Sequence, residues 1–228
     1  MDPRIIIALD VESATEARTL INTLGEDAGF YKVGLELYAA AGMDFVRELV
    51  AHGKQVFLDL KLYDIGETVK RAVAQIARVP GIRLLTVHAM KPVMLAAVAG
   101  RGESPLRLLG VTVLTSFDEN DLREMGYRTS VKDLVELRVR HAIEAGMDGV
   151  VCSPLEVAAV RAAMGPKAVL VTPGVRSAGA AAGDQKRVAS PTDALRSGAS
   201  HLVIGRQVTR AADPRAELRR MLAEIAAV

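Results

Sequence analysis

Short apolar runs, rich in β-branched residues, alternate with longer mixed stretches from one end of the chain to the other. The runs fall at Ile5–Leu9, Phe30–Val33, Val56–Leu60, Leu84–Val87, Leu109–Leu114, Gly149–Cys152, Val169–Val171 and His201–Ile204. They are largely continuous rather than alternating, the pattern of strands buried on both faces. The stretches between them read as amphipathic helices. Ser13 is placed to N-cap the first, with Glu16 three residues on as its capping-box partner. Gly53 and Gly146 mark helix ends, and Pro92, Pro154 and Pro191 mark helix starts. Strand then helix, eight times over, predicts a parallel sheet. At about 28 residues per unit the pattern fits a compact closed barrel. The expected architecture is therefore α/β, a single (β/α)8 TIM barrel forming one domain over residues 1–228. An open dinucleotide-binding sheet has little support, because no G-x-G-x-x-G follows the first run.

Composition narrows the function classes. The chain is 50% hydrophobic with a net charge of +2, no basic block and no Trp. Nucleic acid is not an expected partner; a bound anion should be small and held locally. Cys152 is the sole cysteine, so an internal disulfide is excluded, which fits a reducing compartment. The first apolar run is too short for a signal sequence or a membrane span, and the expectation is a soluble, cytoplasmic protein without membrane attachment.

In a barrel the C-terminal strand ends carry the chemistry. Here they present Asp10, Lys32, Asp59-Leu60-Lys61 with Asp64 just beyond, His88, Thr115-Ser116, Ser153, Pro173-Gly174-Val175-Arg176 and Gly205-Arg206. Polar loops explain Ser153 and His88 adequately. They do not explain Lys32 and Asp59 embedded in apolar runs, where an unpaired charge is costly. Asp59 and Lys61, two apart, should share a strand face, with Lys32 within reach on the neighbouring strand. Asp64 can turn back over the site or reach another subunit. The result is an alternating array of two ammonium groups and two carboxylates at a functional rim.

A second constellation suits phosphate. Val203-Ile204-Gly205-Arg206 is an apolar strand followed by glycine, a cation and a helix. Backbone N–H groups there favour an anion, and Arg206 adds a charged fork. The Gly/Ala-rich patch Ser177–Gly183, ahead of Asp184-Gln185, reads as a floppy loop or as a mobile lid over that phosphate.

At these residues the chain resembles the orotidine 5′-monophosphate decarboxylase family. The most specific match is D-x-K-x-x-D-I with a following Thr: Asp59, Lys61, Asp64, Ile65 and Thr68. Tyr31-Lys32-Val33-Gly34, Val111–Ser116, Thr172–Arg176, Gly183-Asp184-Gln185 and Val203–Arg206 match in the family's order. The resemblance spans nearly the whole chain. It departs at Gly66-Glu67, where the family usually has Pro-Asn, and at Tyr63, where His is frequent.

The resemblance implies a cofactor-independent, metal-free decarboxylase of pyrimidine biosynthesis, converting orotidine 5′-monophosphate to uridine 5′-monophosphate. Lys61 would give the proton at C6 of the pyrimidine. Lys32, Asp59 and Asp64 would complete a charged tetrad, Asp64 and Thr68 coming from the partner in a homodimer with shared active sites. Asp10 and Lys32 would hold ribose hydroxyls, Thr115 would lie near the base, and Arg176, Gln185, Gly205 and Arg206 would bind phosphate. The nearest alternative is a Mg2+-dependent sugar-phosphate synthase or decarboxylase on a related barrel, with a similar D-x-K-x-x-D core. A non-catalytic nucleotide sensor would keep Arg206 but need no tetrad.

Overall fold

The computed structural model of the chain describes residues 1–177, 187–226 and 228. Eight parallel strands close into a barrel in sequence order. They are β1 (Ile5–Ala8), β2 (Phe30–Gly34), β3 (Gln55–Leu62), β4 (Ile82–His88), β5 (Arg107–Val111), β6 (Gly149–Val151), β7 (Val169–Thr172) and β8 (His201–Ile204). β1 closes the ring on β8 through Ile5↔Leu202, Ile6↔Val203 and Ile7↔Ile204. Among the described residues ten α-helices surround it: α1 (Ala14–Leu24), α2 (Leu35–Ala51, bent at Gly42), α3 (Gly66–Ile76), α4 (Lys91–Arg101), α5 (Glu119–Glu124), α6 (Val131–Ala145), α7 (Val157–Met164), α8 (Pro191–Arg196), α9 (Arg206–Thr209) and α10 (Pro214–Ile225). None is long and apolar enough to cross a membrane.

Strand alternation divides the core in two. Ile5, Ile7, Tyr31, Val33, Val56, Leu58 and Leu85 belong to the large cluster between ring and helices. Their neighbours Ile6, Ala8, Phe30, Phe57, Leu84, Leu109, Val171 and Val203 form a separate small cluster, which fills the ring. The inward set fixes what faces the barrel mouth. Continuing each strand by steps of two leads from Phe30 to Lys32, from Phe57 to Asp59, and from Leu84 to Thr86 and His88.

Several local expectations needed correction. β5 ends at Val111, so Thr112–Leu114 is loop and not strand. Ser13 does N-cap α1, accepting from the Glu16 N–H at 3.2 Å, but the Glu16 carboxylate reaches back to the Glu12 N–H at 3.3 Å and no capping box closes on Ser13. Pro154 lies in a turn, with α7 starting at Val157. Pro92 and Pro191 do open α4 and α8, and Gly146 ends α6 with left-handed φ +74°.

Candidate active site

Lys32 and Asp59 are 8% and 9% exposed, and burial forces their charges to pair. Asp59 Oδ2 accepts from Lys61 Nζ at 2.8 Å and faces Lys32 Nζ at 3.8 Å; Lys32 Nζ in turn donates to Asp10 Oδ1 at 2.6 Å. Two ammonium groups and two carboxylates therefore alternate across the mouths of β1, β2 and β3. Gly34, in extended backbone (φ −96°, ψ −174°), borders the array. A Cβ there would stand 2.9 Å from Lys32 Nζ and 3.2 Å from Asp10 Oδ1. That glycine is required for space rather than for conformation.

The Asp59–Lys61 proximity is not produced by regular pleating. Leu58 pairs with Leu85 and Leu62 with Val87, so β3 carries two more residues than β4 over this interval. The bulge turns Lys61 to φ +49°, the one non-glycine residue with positive φ among the described residues. Bulges re-aim side chains beside active sites. Thr86 holds this one: its Oγ1 accepts from the Lys61 N–H and donates to Asp59 Oδ1, both at 2.9 Å.

The array opens into two adjoining cavities. One, of about 190 Å3, has Lys32, Asp59 and Lys61 at one side and a largely apolar wall containing Val111, Val113, Leu114 and Val151 at the other. Thr115 and Cys152 also line it. Burial pushes the Cys152 thiol up to about 12, so it stays protonated and is a poor nucleophile. The second cavity, about 400 Å3, contains Asp10, Arg176, Gly205 and Arg206 and shares Lys32, Pro173 and Val203 with the first. Burial, and next the nearby Arg206 cation, hold Arg176 below the usual guanidinium range. Two such cations at one concave surface favour an anion between them. The combined cleft is apolar at one end, carries the charged array in the middle and is cationic at the other.

Asp10, Lys32, Asp59, Lys61, Thr115, Arg176, Gly205 and Arg206 are thus gathered around one cleft. Asp64 and Thr68 are not. Both are exposed, and Asp64 accepts from the Ile65 N–H at 2.6 Å. Within the chain Asp10 takes the fourth place in the alternating array. Gln185 and the rest of the Gly/Ala-rich segment past Ser177 lie outside the described residues. His88 packs its ring against Tyr63 at 5.3 Å, and burial, then the Arg138 and Lys61 charges, keep it below the ordinary imidazole value. Sequence reasoning missed Thr86; its signal was an inward position two residues past Leu84. It also missed the buried Arg138 and the part-buried Arg187.

The model of the orotidine 5′-phosphate decarboxylase / HUMPS family matches residues 3–221. The chain belongs to that family. A relative from Rhodopseudomonas palustris (strain BisB5), named orotidine 5′-phosphate decarboxylase, is 53% identical over 223 residues, covering 98% of this chain and 94% of that protein. One of the same name from Caulobacter sp. (strain K31) is 53% identical over 225 residues, covering 99% and 98%. The crystal structure of orotidine 5′-phosphate decarboxylase from Lactobacillus acidophilus superposes with a TM-score of 0.85 at 35% identity, over 99% of this chain and all of that one. These family members carry the decarboxylase name and lend no support to the Mg2+-dependent sugar-phosphate alternative.

Proposed function

We propose that this protein decarboxylates orotidine 5′-monophosphate to uridine 5′-monophosphate in pyrimidine biosynthesis, in the cytoplasm and without a cofactor. The observation that carries the proposal is the Lys61–Asp59–Lys32–Asp10 array at the mouth of the barrel, opening on one side to an apolar cavity and on the other to Arg176 and Arg206. A nucleotide matches that sequence of surfaces, with its phosphate at the arginines, its ribose at Asp10 and Lys32, and its base against Val111–Thr115.

Breaking the bond from C6 to the carboxylate releases CO2 and leaves the electron pair on C6, in the plane of the ring, where the π system cannot delocalise it. A fixed positive charge must stabilise it. Lys61 supplies that charge and then the proton, so that ammonium and carbanion become amine and C–H. Asp59 keeps the ammonium groups of Lys61 and Lys32 oriented, and Thr86 holds Asp59. The cationic cavity, remote from C6, supplies binding energy that aligns the reacting end.

The proposal extends to a homodimer. Asp64 and Thr68 stand exposed beside Tyr63 and Ile65, which are 65% and 73% exposed. Exposed apolar side chains around two polar ones suit an interface through which Asp64 and Thr68 enter the partner's site. The test of the activity is absorbance of the orotate ring after adding orotidine 5′-monophosphate to purified protein, with and without EDTA. Turnover in both conditions is expected. No turnover overturns the reading, and activity lost to EDTA would move it to the metal-dependent chemistry.

A further inference from the structure

The apolar wall of the first cavity is built by chain that has run out of sheet. β5 ends at Val111 and β6 at Val151. Thr112 still donates its N–H, at 3.2 Å, and its hydroxyl, at 2.9 Å, to Val151 O. Beyond that point no strand is left to supply donors to the carbonyls of Thr112 and Val113, although both residues are buried, while Leu114 O accepts from the Phe117 N–H at 2.9 Å in the turn that follows. Buried carbonyls without donors are costly. Two largely buried guanidinium groups take the ladder's place. Arg138 Nη1 donates to Thr112 O, and its Nη2 donates to the Tyr127 hydroxyl at 3.2 Å. Arg187 Nη2 donates to Val113 O at 3.1 Å and to Leu114 O at 3.0 Å, while its Nη1 pairs with Glu156 Oε1. The other Glu156 oxygen accepts from the Ser153 N–H at 3.0 Å, just past β6. One side chain thereby ties the loop after β5 to the turn after β6.

We infer that Arg187 is a positioning residue for the base-side wall: it fixes Val113–Thr115 against the pyrimidine ring without touching substrate. Arg187 lines neither cavity, whereas Val113, Leu114 and Thr115 line the first. The inference rests on the proposed function for what occupies that wall. A guanidinium is needed because it holds two carbonyls and a carboxylate at once from a planar fork. Lysine keeps the charge opposite Glu156 but offers one nitrogen for all three acceptors.

The test compares uridine 5′-monophosphate with ribose 5-phosphate, which share sugar and phosphate and differ in the base. Titration calorimetry on the full chain measures both affinities in wild type, Arg187→Ala, Arg187→Lys and Glu156→Gln. For Arg187→Ala the expected result is at least tenfold weaker binding of uridine 5′-monophosphate and less than twofold change for ribose 5-phosphate, with kcat/KM for orotidine 5′-monophosphate falling in step. Arg187→Lys should lie between that variant and wild type. A role confined to folding stability would move both ligands equally. Equal losses, or an undiminished affinity gap, overturn the inference. If Arg187→Ala fails to fold, the two conservative variants decide, with at least a threefold narrowing of the gap expected and an unchanged gap overturning it. Wild-type turnover bears on the activity alone. An active wild type whose Arg187 variants keep the gap loses the positioning role and keeps the function; an inactive wild type whose variants narrow it loses the function and keeps the wall.

Discussion

Lys61 answers two demands that oppose each other. Its ammonium must meet Asp59, and its backbone is held at φ +49° to do so, a conformation costing about 1–2 kcal/mol for any residue with a Cβ. Lys61→Ala should abolish decarboxylation while leaving uridine 5′-monophosphate able to bind; activity within about tenfold of wild type, a loss of only ~1.4 kcal/mol, would remove Lys61 from the mechanism. Lys61→Gly should be just as inactive yet more stable than Lys61→Ala by about 1 kcal/mol, since glycine accepts positive φ freely. Urea midpoints compare the two, and an alanine variant that is equally stable refutes the strain. Gly34→Ala tests the opposite case, chemistry lost without strain. The added methyl displaces the flexible end of Lys32 rather than any backbone, so kcat/KM should fall at least about tenfold, the loss of one charge-assisted contact, with Tm nearly unchanged. A large drop in Tm would show that the methyl is felt by the core instead. Lys32 and Asp59 were legible in the sequence because a charge inside an apolar run needs an explanation. Thr86 was not, since a threonine in a strand is ordinary until its hydroxyl is seen between Asp59 and the Lys61 backbone.

At the level of elements, all eight strands were legible from continuous apolar runs, and their limits were not. The run Leu109–Leu114 could not reveal that β6 stops after three residues and leaves the end of that run without a ladder. The bulge in β3 was equally invisible, because it depends on register against β4. The helix expected after Gly205-Arg206 is divided into the short α9 and the longer α10, and the short α5 precedes the helix expected from near Ser130. The start of α3 offers a test of local rules. Gly66 is its first residue, and Ile65 before it sits at φ −58°, ψ 145°, the extended conformation that a following proline requires. A Cβ at Gly66 would make ordinary contact with Ala96 Cβ at 3.6 Å. Gly66→Pro should therefore stabilise the chain by roughly 0.4–1 kcal/mol through loss of unfolded-state freedom, raising Tm by about 1–4 °C. A lower Tm would mean that the first turn of α3 needs the mobility or the N–H of glycine.

For the whole molecule, the decisive question is whether one chain makes a complete site. Asp64 and Thr68 belong to the most specific motif yet lie outside the cleft of their own chain. If the partner supplies them, inactive Lys61→Ala and Asp64→Asn chains should complement each other. A mixed dimer places both lesions in one site and leaves the other with intact Lys61 and Asp64. Unfolding, mixing and refolding at equal concentration makes half the dimers mixed, each with one good site, so activity should return to roughly a quarter of wild type. Mixed dimers that form and stay inactive would assign Asp64 to its own chain.

The pairing of β1 with β8 also has a meaning in time. Ile5 and Leu202 are neighbours in the ring and lie at opposite ends of the barrel sequence. On a ribosome adding 5–20 residues per second, β1 emerges roughly 10–40 s before the strand that completes it. Throughout that interval a strand of four apolar residues, Ile5–Ala8, has an open hydrogen-bonding edge, the template on which chains join to one another. The yield of active protein in a cell should therefore depend on how well that nascent edge is shielded, a vulnerability that vanishes from view once the ring has closed.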